Sequence, residues 1–317
     1  MIVIKLMGGL GNQLQQYSLY RRMIENGIEA KLDTSWFDVK NQNGMLAPRD
    51  IEINRFKGIN YEVASYEDIR TLTGGNSLLG KLKRHLGAGF SHYLNESGRI
   101  YIDEIANGIF ETGTIKDMYL EGYFACEIYH EKILPILRRE LEFPLEEHTD
   151  KDRLIKIADD IKNNDSVSIH IRRGDYLNNA NSGMFGGICT DDYYDAAVRR
   201  VLELKSRPKF YIFSDDTQFA AEFNHDLTQK YDNVTSDIVE INKGSDSFFD
   251  ILLMSLCTAN ITANSTFSYW GARLNSHVDK LMIRPTIHIN SHTFDEERMK
   301  VWWKGWEFVS PDGKAYK

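Results

Sequence analysis

Strand-length apolar segments alternate with helix-length segments along most of this chain. At the start, a strand-like run over 2–6 precedes Gly8-Gly9-Leu10-Gly11, and a helix from about 12 to 25 leads to a second strand that ends at Asp33. In the second half, the predicted strands cover 167–171, 209–213, 239–241, 259–262 and 281–283. This alternation predicts an α/β fold in which parallel sheets are covered by helices on both faces.

The length of 317 residues fits two domains of ordinary size. The regular pattern breaks at Phe143-Pro144 and in the charged run that follows, so we place the boundary after residue 150 and predict domains over 1–150 and 151–317. A helix is predicted over 127–140. The segment 37–114 is rich in Gly, Asn, Ser and aromatic residues and gives no clear pattern of elements.

Composition excludes some functions and leaves others open. The formal net charge of −8 disfavours binding along a nucleic-acid backbone, so an anionic ligand has to be met by a local cluster of cations and backbone N–H groups. The three cysteines, at 126, 189 and 257, are too far apart for a disulfide framework. The sequence shows neither a signal peptide nor the ~18 consecutive apolar residues of a membrane span, and we expect a soluble, cytoplasmic protein.

Two polar segments that follow predicted strands are rich in charge. His170-Ile171-Arg172-Arg173-Gly174-Asp175-Tyr176 follows one strand, and Ser214-Asp215-Asp216 follows the next. Ligands of open parallel sheets bind beyond the carboxyl ends of the strands, where an Arg side chain can fork onto phosphate oxygens. A surface pair between an Arg and Asp175 is the alternative. For Asp215 and Asp216 the alternatives are guanine recognition, metal binding and helix capping, and capping is favoured for Asp216.

A third segment, Asn264-Ser265-Thr266-Phe267-Ser268, follows a strand and opens a helix. Ser265 and Thr266 fit an anion site at a helix N-terminus, or an ordinary N-cap. Together with Arg172 and Arg173, this helix end predicts one diphosphate site. The only D-x-D match, Asp150-Lys151-Asp152, does not follow a strand and is interpreted as the start of a surface helix.

The glycine loop near the N-terminus imitates a dinucleotide-binding fingerprint. Gly9 and Gly11 follow a strand and Asp33 ends the next one, but Leu14 stands where the third glycine belongs. The match to an NAD site is therefore weak. Asn12 and Gln13 make the loop a polar surface that suits a sugar.

Four motifs in this order resemble the α-1,2-fucosyltransferases of glycosyltransferase family eleven, in their bacterial form. They are Gly8-Gly9-Leu10-Gly11-Asn12-Gln13, the 170–176 segment, Phe213-Ser214-Asp215-Asp216, and Asn264-Ser265-Thr266-Phe267-Ser268-Tyr269-Trp270-Gly271-Ala272. The stretch Leu120-Glu121-Gly122-Tyr123 is also similar. The resemblance runs nearly from end to end. Residues Gln15, Ser18, Tyr269 and Arg273 depart from the family pattern in ways that touch helix packing and acceptor choice.

The resemblance implies a GT-B-like fold, with two Rossmann-like domains facing a cleft, an acceptor-side N-terminal domain and a GDP-fucose-binding C-terminal domain. It implies inverting transfer of L-fucose from GDP-β-L-fucose to O2 of a galactose in a glycan, without a metal or another cofactor. Arg172 and Asn12 would be catalytic. The implied donor-binding residues are Gly9, Gly11, His170, Arg173, Asp175, Asp215, Ser265, Thr266 and Phe267.

Several points stay open from the sequence. An NAD-dependent oxidoreductase and a non-catalytic GDP-sugar or glycan-binding protein are the alternative functions. Peripheral membrane association is expected only if the acceptor is lipid-linked. No motif identifies a general base. The cluster Trp302-Trp303-Lys304-Gly305-Trp306 fits a core more often than a sugar site, and both interpretations are kept.

Overall fold

The computed structural model describes residues 1–43, 48–75, 92–96, 117–174, 176 and 181–317, in two compact units, Met1–Glu142 and Phe143–Lys317. The sequence places the boundary after residue 150. In the structure the segment 143–150 packs within the second unit, because Phe143 stacks on Phe248 with ring centroids 5.8 Å apart and His148 is hydrogen-bonded to Asn242.

The described part of the first unit contains four parallel strands. They are β1 (Ile2–Lys5), β2 (Ala30–Asp33), β3 (Tyr93–Asn95) and β4 (Met118–Glu121), in the spatial order β2-β1-β4-β3. The helices described in this unit are α1 (Leu10–Glu25), α2 (Val39–Gln42), α3 (Tyr66–Thr73) and α4 (Leu134–Glu140). Burial of Val3 and Tyr119 against Leu72 joins the sheet to α3.

Two helix boundaries of this unit differ from the sequence predictions. Helix α1 begins at Leu10, with Gly9 as its N-cap, rather than at Asn12. The helix predicted over 127–140 is continuous only as α4, and is preceded by two single 3₁₀ turns, Glu127–Tyr129 and Glu131–Ile133. Proline lacks an N–H and fits only the first turn of a helix, so Pro135 fixes the start of α4.

The residues described in the second unit form a seven-stranded sheet. Its strands are β5 (Ser166–Ile171), β6 (Lys209–Ser214), β7 (Thr235–Val239), β8 (Ala259–Ile261), β9 (Leu281–Pro285), β10 (Glu307–Val309) and β11 (Ala315–Tyr316). The helices described in this unit are α5 (Lys151–Lys162), α6 (Ser182–Phe185), α7 (Asp191–Leu204), α8 (Thr217–Lys230), α9 (Phe249–Leu256), α10 (Thr266–Leu274) and α11 (Glu296–Trp302).

The order of this sheet reverses beside its central strand. The spatial order is β11-β10-β9-β8-β5-β6-β7, and all pairs are parallel except β10 with β11. The chain moves outward from β5 to β7 and then returns to β8 on the other side of β5. Such a reversal opens a crevice at the carboxyl ends of the two strands, which is where doubly wound sheets bind ligands.

Burial on both faces of the sheet explains the sequence pattern of β5 in this unit. All six residues of β5 are buried, as expected of a parallel strand covered on both faces. The strand predicted at 239–241 is misplaced along the sequence, because the edge strand β7 ends at Val239. The tail strands β10 and β11 were not predicted. Trp303 and Trp306 are buried around Tyr269, so these two belong to the core.

Candidate active site

Three segments singled out in the sequence meet at one edge of the second sheet. Strand β5 lies between β6 and β8, and Ile171 at the end of β5 is in register with Ser214 at the end of β6. The residues that follow β5, β6 and β8 therefore lie at neighbouring strand ends, beside the crevice where the strand order reverses. This edge brings together the Arg, Asp and Ser-Thr segments that the sequence predicted as one site.

Asp215 organises the turn that follows β5. Its Oδ2 lies 2.8 Å from Nη1 of Arg172, while its Oδ1 accepts the backbone N–H groups of Arg173 at 2.9 Å and Gly174 at 3.2 Å. A Cβ at Gly174 would lie 2.7 Å from Oδ2 of Asp215, so this close approach requires glycine. Both carboxylate oxygens of Asp215 are thus engaged with the turn that carries Arg172.

Arg173 points toward helix α8. Its Nε donates to Oδ2 of Asp216 at 3.1 Å, and its guanidinium lies 3.9 Å from the ring centroid of Phe219. Oδ1 of Asp216 accepts the N–H of Phe219 at 3.0 Å, so the predicted helix cap is confirmed. That N–H, with a smaller contribution from Arg173, lowers the pKa of Asp216. Asp175 lies outside the described residues.

His170 is buried and uncharged at neutral pH. Burial, with a smaller contribution from the positive charge of Arg172, lowers the pKa of His170 to about 4. Its ring lies 5.8 Å from that of Phe267, and within the described ranges its Nδ1 has no hydrogen-bond partner. The structure thus brings two predicted donor-binding residues together, from the end of β5 and the start of α10.

The start of helix α10 carries Ser265 as its N-cap. Oγ of Ser265 accepts the N–H of Phe267 at 3.3 Å, which confirms the capping interpretation. Thr266 is the first residue of the helix and is partly exposed. The N-terminus of a nine-residue helix is therefore presented at the same sheet edge as Arg172.

Asn264 connects this edge to two further segments, and its role was not predicted. Its Nδ2 donates to the backbone carbonyls of Phe185 at 3.2 Å and His288 at 3.1 Å, and its own backbone carbonyl accepts the hydroxyl of Tyr176 at 3.0 Å. Tyr176 stacks on Phe185 with ring centroids 4.6 Å apart. An asparagine three residues beyond the buried strand β8 was the available signal, since a buried amide has to be satisfied by hydrogen bonds.

The glycine loop belongs to the first unit, where α1 begins. The N–H of Leu10 donates to Oε2 of Glu52 at 3.0 Å, so a carboxylate already lies at the positive end of α1. Gly8 has φ +80°, and a Cβ there would lie 2.7 Å from Nδ2 of Asn12. Gly9, Gly11 and Asn12 lie around the start of α1. At this helix start, a carboxylate already accepts a hydrogen bond from an N–H group that could otherwise donate to a phosphate.

Asp33 does not fit the ribose-binding role that an NAD site requires. Its Oδ1 accepts the N–H of Ser35 at 2.9 Å, and its Oδ2 accepts the hydroxyl of Tyr119 at 2.6 Å. The residue is only 2% exposed. A carboxylate that is buried and bonded through both oxygens cannot bind a ribose without breaking these bonds.

The described residues contain neither a cluster of metal ligands nor a helix suited to a membrane. No group of three or more His, Cys, Asp or Glu side chains is arranged there to hold a metal ion. No helix in the described ranges is both long enough and apolar enough to cross a membrane. The D-x-D match is helical, as predicted, with Asp150 accepting the N–H of Arg153 as the N-cap of α5.

Comparison with known proteins decides the family. Residues 90–310, more than half of the chain, match the family model described as Glycosyl transferase family 11. The chain belongs to glycosyl transferase family 11. The predicted membership is confirmed, and this family 11 glycosyltransferase uses a sugar donor and a glycan acceptor. An NAD-dependent oxidoreductase, the first alternative from the sequence, is wrong.

Two curated relatives of this family 11 glycosyltransferase come from Escherichia coli. An alpha-1,2-colitosyltransferase is 29% identical over 289 residues, which cover 90% of this chain and 91% of the relative. The O-antigen biosynthesis glycosyltransferase WbnK is 28% identical over 306 residues, which cover 88% of this chain and 92% of the relative. The likeness thus spans nearly the whole of each protein.

Proposed function

We propose that this glycosyltransferase moves L-fucose from GDP-β-L-fucose to O2 of a galactose in a glycan acceptor, with inversion at the sugar. The GT-B class is part of the same proposal. The observation that carries it is the sheet edge of the second unit, where Arg172 and the N-terminus of α10 adjoin the strand-order reversal. A guanidinium and a helix N-terminus are the groups that bind a diphosphate.

The residues of this edge have distinct parts in the proposal. When the bond between C1 of the sugar and the β-phosphate oxygen breaks, its electron pair stays on the diphosphate. Arg172 and the positive end of helix α10 stabilise that growing negative charge, as fixed charges and dipoles do in other transfers. His170 is neutral and suits hydrogen bonding to a nucleoside rather than neutralisation of a phosphate.

A second candidate concerns the sugar that is moved. One relative is named for colitose, which is L-fucose without its 3-hydroxyl group. Both donors would place the same GDP at the same edge, so the residues of the second unit support either one. A site that hydrogen-bonds the 3-hydroxyl would reject GDP-colitose strongly, because its polar groups would be left unpaired.

Product analysis tests both candidates. The purified chain is incubated with GDP-fucose or GDP-colitose and a panel of galactose-terminated glycans. Product mass and the linkage determined by NMR are compared. We expect a 1→2 linked fucosylated product, with kcat/KM for GDP-fucose at least tenfold that for GDP-colitose. The reverse ratio favours the colitosyl candidate, and GDP binding without any product supports the non-catalytic alternative.

A further inference from the structure

The strand pairing of the second sheet stops short of the proposed diphosphate site. The ladder between β5 and β8 ends at the pair Ile169 and Ile261, whereas Arg172 and Ser265 lie beyond that pair on their segments. Backbone pairing between these two strands therefore does not fix the Arg172 turn against the start of α10. Two positive groups stabilise one diphosphate best when both are held in place before it binds.

One side of the Arg172 turn is already fixed. Strands β5 and β6 stay in register up to Ile171 and Ser214, and Asp215 binds the turn that follows β5. The side toward β8 needs a connection of its own if Arg172 and the start of α10 are to act on one diphosphate. Such a connection has to come from beyond the strand ladder, because the ladder with β8 has ended there.

Tyr176 connects these two segments. Its hydroxyl donates to the backbone carbonyl of Asn264 at 3.0 Å, and Asn264 directly precedes Ser265, the N-cap of α10. The centroid of its ring lies 5.7 Å from the guanidinium carbon of Arg172, within the range of a cation–π contact. One side chain thus contacts both Arg172 and the peptide group that leads into α10.

The ring of Tyr176 is itself held in place. It stacks on Phe185 with ring centroids 4.6 Å apart and an angle of 16° between the ring planes. The backbone carbonyl of Phe185 accepts a hydrogen bond from Nδ2 of Asn264 at 3.2 Å, and Asn264 is buried. Tyr176, Phe185 and Asn264 therefore contact one another in a closed set. A hydroxyl on a ring fixed in this way holds its acceptor at a constant distance.

We propose, resting on the proposed function, that Tyr176 is a positioning residue whose hydroxyl fixes the start of α10 relative to Arg172, so that both act on the same diphosphate. Tyr176 acts through these two groups rather than by contact with the reacting atoms. Its effect is on kcat, since the two positive groups matter most as negative charge grows on the leaving diphosphate. Tyr176 belongs to the motif over 170–176, but the proposed function gives it no role.

The first test compares Tyr176→Phe with the wild-type chain, using the GDP-sugar that the wild type transfers best. Phenylalanine keeps the ring beside Phe185 and Arg172 but cannot donate to Asn264. We expect kcat to fall about tenfold, because a small displacement of a fixed group costs much of its effect. The affinity for GDP, measured by calorimetry, is expected to change less than about threefold, because Arg172 and α10 are both still present.

Tyr211→Phe is the matched control. The hydroxyl of Tyr211 donates to Oδ2 of Asp160 at 2.7 Å, and the same oxygen pairs with Nζ of Lys209 at the start of β6. The substitution therefore removes a comparable hydroxyl bond at the amino edge of the same sheet. Its kcat is expected to equal that of the wild type, whatever its melting temperature. A similar fall in kcat for both variants would show a general effect of lost packing and overturn the assignment.

A double-mutant cycle separates positioning from a structural role. If Tyr176 acts through Arg172, its hydroxyl has little left to position in Arg172→Ala, and adding Tyr176→Phe is expected to lower kcat there by less than about twofold. The same loss in both backgrounds, or a Tyr176→Phe variant with near-normal kcat, overturns the assignment while the proposed function stands. Absence of transfer by the wild-type chain from every GDP-sugar offered refutes the proposed function and the assignment with it.

Discussion

At the residue scale, Arg172 owes its position to Asp215. One carboxylate oxygen pairs with the guanidinium, and the other accepts two backbone N–H groups of the same turn. The sequence predicted Asp215 as a nucleotide ligand, and that role stays a prediction. Its contacts within the chain indicate a positioning residue instead, which fixes the guanidinium before a donor arrives.

Asp215→Asn is expected to lower kcat on the order of tenfold, and Arg172→Ala on the order of a hundredfold or more. The Asn oxygen can still accept from Arg173 and Gly174, but its amide would face Arg172 with a donor where an acceptor is needed. Steady-state kinetics and GDP affinity measured by calorimetry check this.

The two roles of Asp215 give different results in that experiment. If Asp215 only positions Arg172, GDP affinity changes little while kcat falls. If it binds the nucleoside, GDP affinity falls most. A variant with a higher kcat would contradict both roles and show that the negative charge of Asp215 opposes the diphosphate. Near-normal transfer by Arg172→Ala would refute the assignment of Arg172.

Local chemistry explains which residues of the site the sequence revealed. The capping roles of Ser265 and Asp216 follow from residue type and position at a helix start, and both were predictable. The contacts of Asn264 were not, because Phe185 and His288 reach it from distant segments.

At the element scale, helix α10 depends on a glycine for its packing against α9. A Cβ at Gly271 would lie 2.7 Å from Cβ of Met254, an atom fixed to the backbone of α9. Alanine improves helix propensity by about 1 kcal/mol, whereas overpacking of a core costs about 1–3 kcal/mol. The cost of overpacking outweighs the gain in helix propensity. The close approach of the two helices therefore favours glycine at this position.

Gly271→Ala is therefore expected to lower the free energy of unfolding by up to about 2 kcal/mol, measured by urea denaturation. Gly183→Ala in α6 is the control, because a Cβ there meets nothing within 4 Å. Equal stability of Gly271→Ala and the wild-type chain would show that α9 and α10 separate easily. The start of α10 would then be less rigid than the site requires.

The segment 143–150 is fixed to the second unit by a buried chain of hydrogen bonds. The N–H of Asp150 donates to Nδ1 of His148, so Nε2 carries the proton and donates to Oδ1 of Asn242 at 2.8 Å. Nδ2 of Asn242 then donates to Oδ1 of Asp250 at 2.6 Å. Burial raises the pKa of Asp250 to about 7.

This chain makes stability depend on pH. Because the pKa of Asp250 is higher in the folded chain than in the unfolded chain, its contribution to stability is full below about pH 4 and is lost as the pH rises through about 7. Asp250→Asn keeps the hydrogen bond without this loss. The stability of the variant relative to wild type is expected to rise between pH 4 and 7, by at most about 1.4 kcal/mol per pH unit.

Urea unfolding at a series of pH values measures this difference. The buried histidines are common to both proteins and cancel. A difference that does not change with pH would mean that Asp250 titrates normally in the folded chain.

The sequence predicted those strands whose residues form a continuous buried run. Strands β5 and β6 were found because each is a continuous buried run. Edge strand β7 was misplaced because its partly exposed residues carry no apolar run. Strands β10 and β11 are only 3 and 2 residues long and were hidden beside the tryptophan cluster.

At the scale of the whole molecule, the sheet order connects the fold to the proposed site. The sequence predicts parallel α/β units, but the order β8-β5-β6 depends on pairing between segments nearly a hundred residues apart, such as Val167 with Ala259. The reversal beside β5 places Arg172 and Ser265 at one edge. The four motifs alone suggested this juxtaposition, and the topology gives it a physical cause.

The overall charge of the chain bears on whether the transfer needs a metal ion. A chain of net charge −8 repels a GDP-sugar at long range, so the diphosphate must be neutralised where it binds. We expect Arg172 and the start of α10 to be sufficient for this. Activity after dialysis against EDTA is then expected to remain within about twofold of the untreated level, and added Mg²⁺ or Mn²⁺ to change it little. A loss of more than tenfold that Mg²⁺ or Mn²⁺ restores would mean that a cation carries the charge assigned here to Arg172. Measuring Arg172→Ala in the same series separates the two sources of charge, because a metal-dependent enzyme would retain most of its response to Mg²⁺ or Mn²⁺ in that variant.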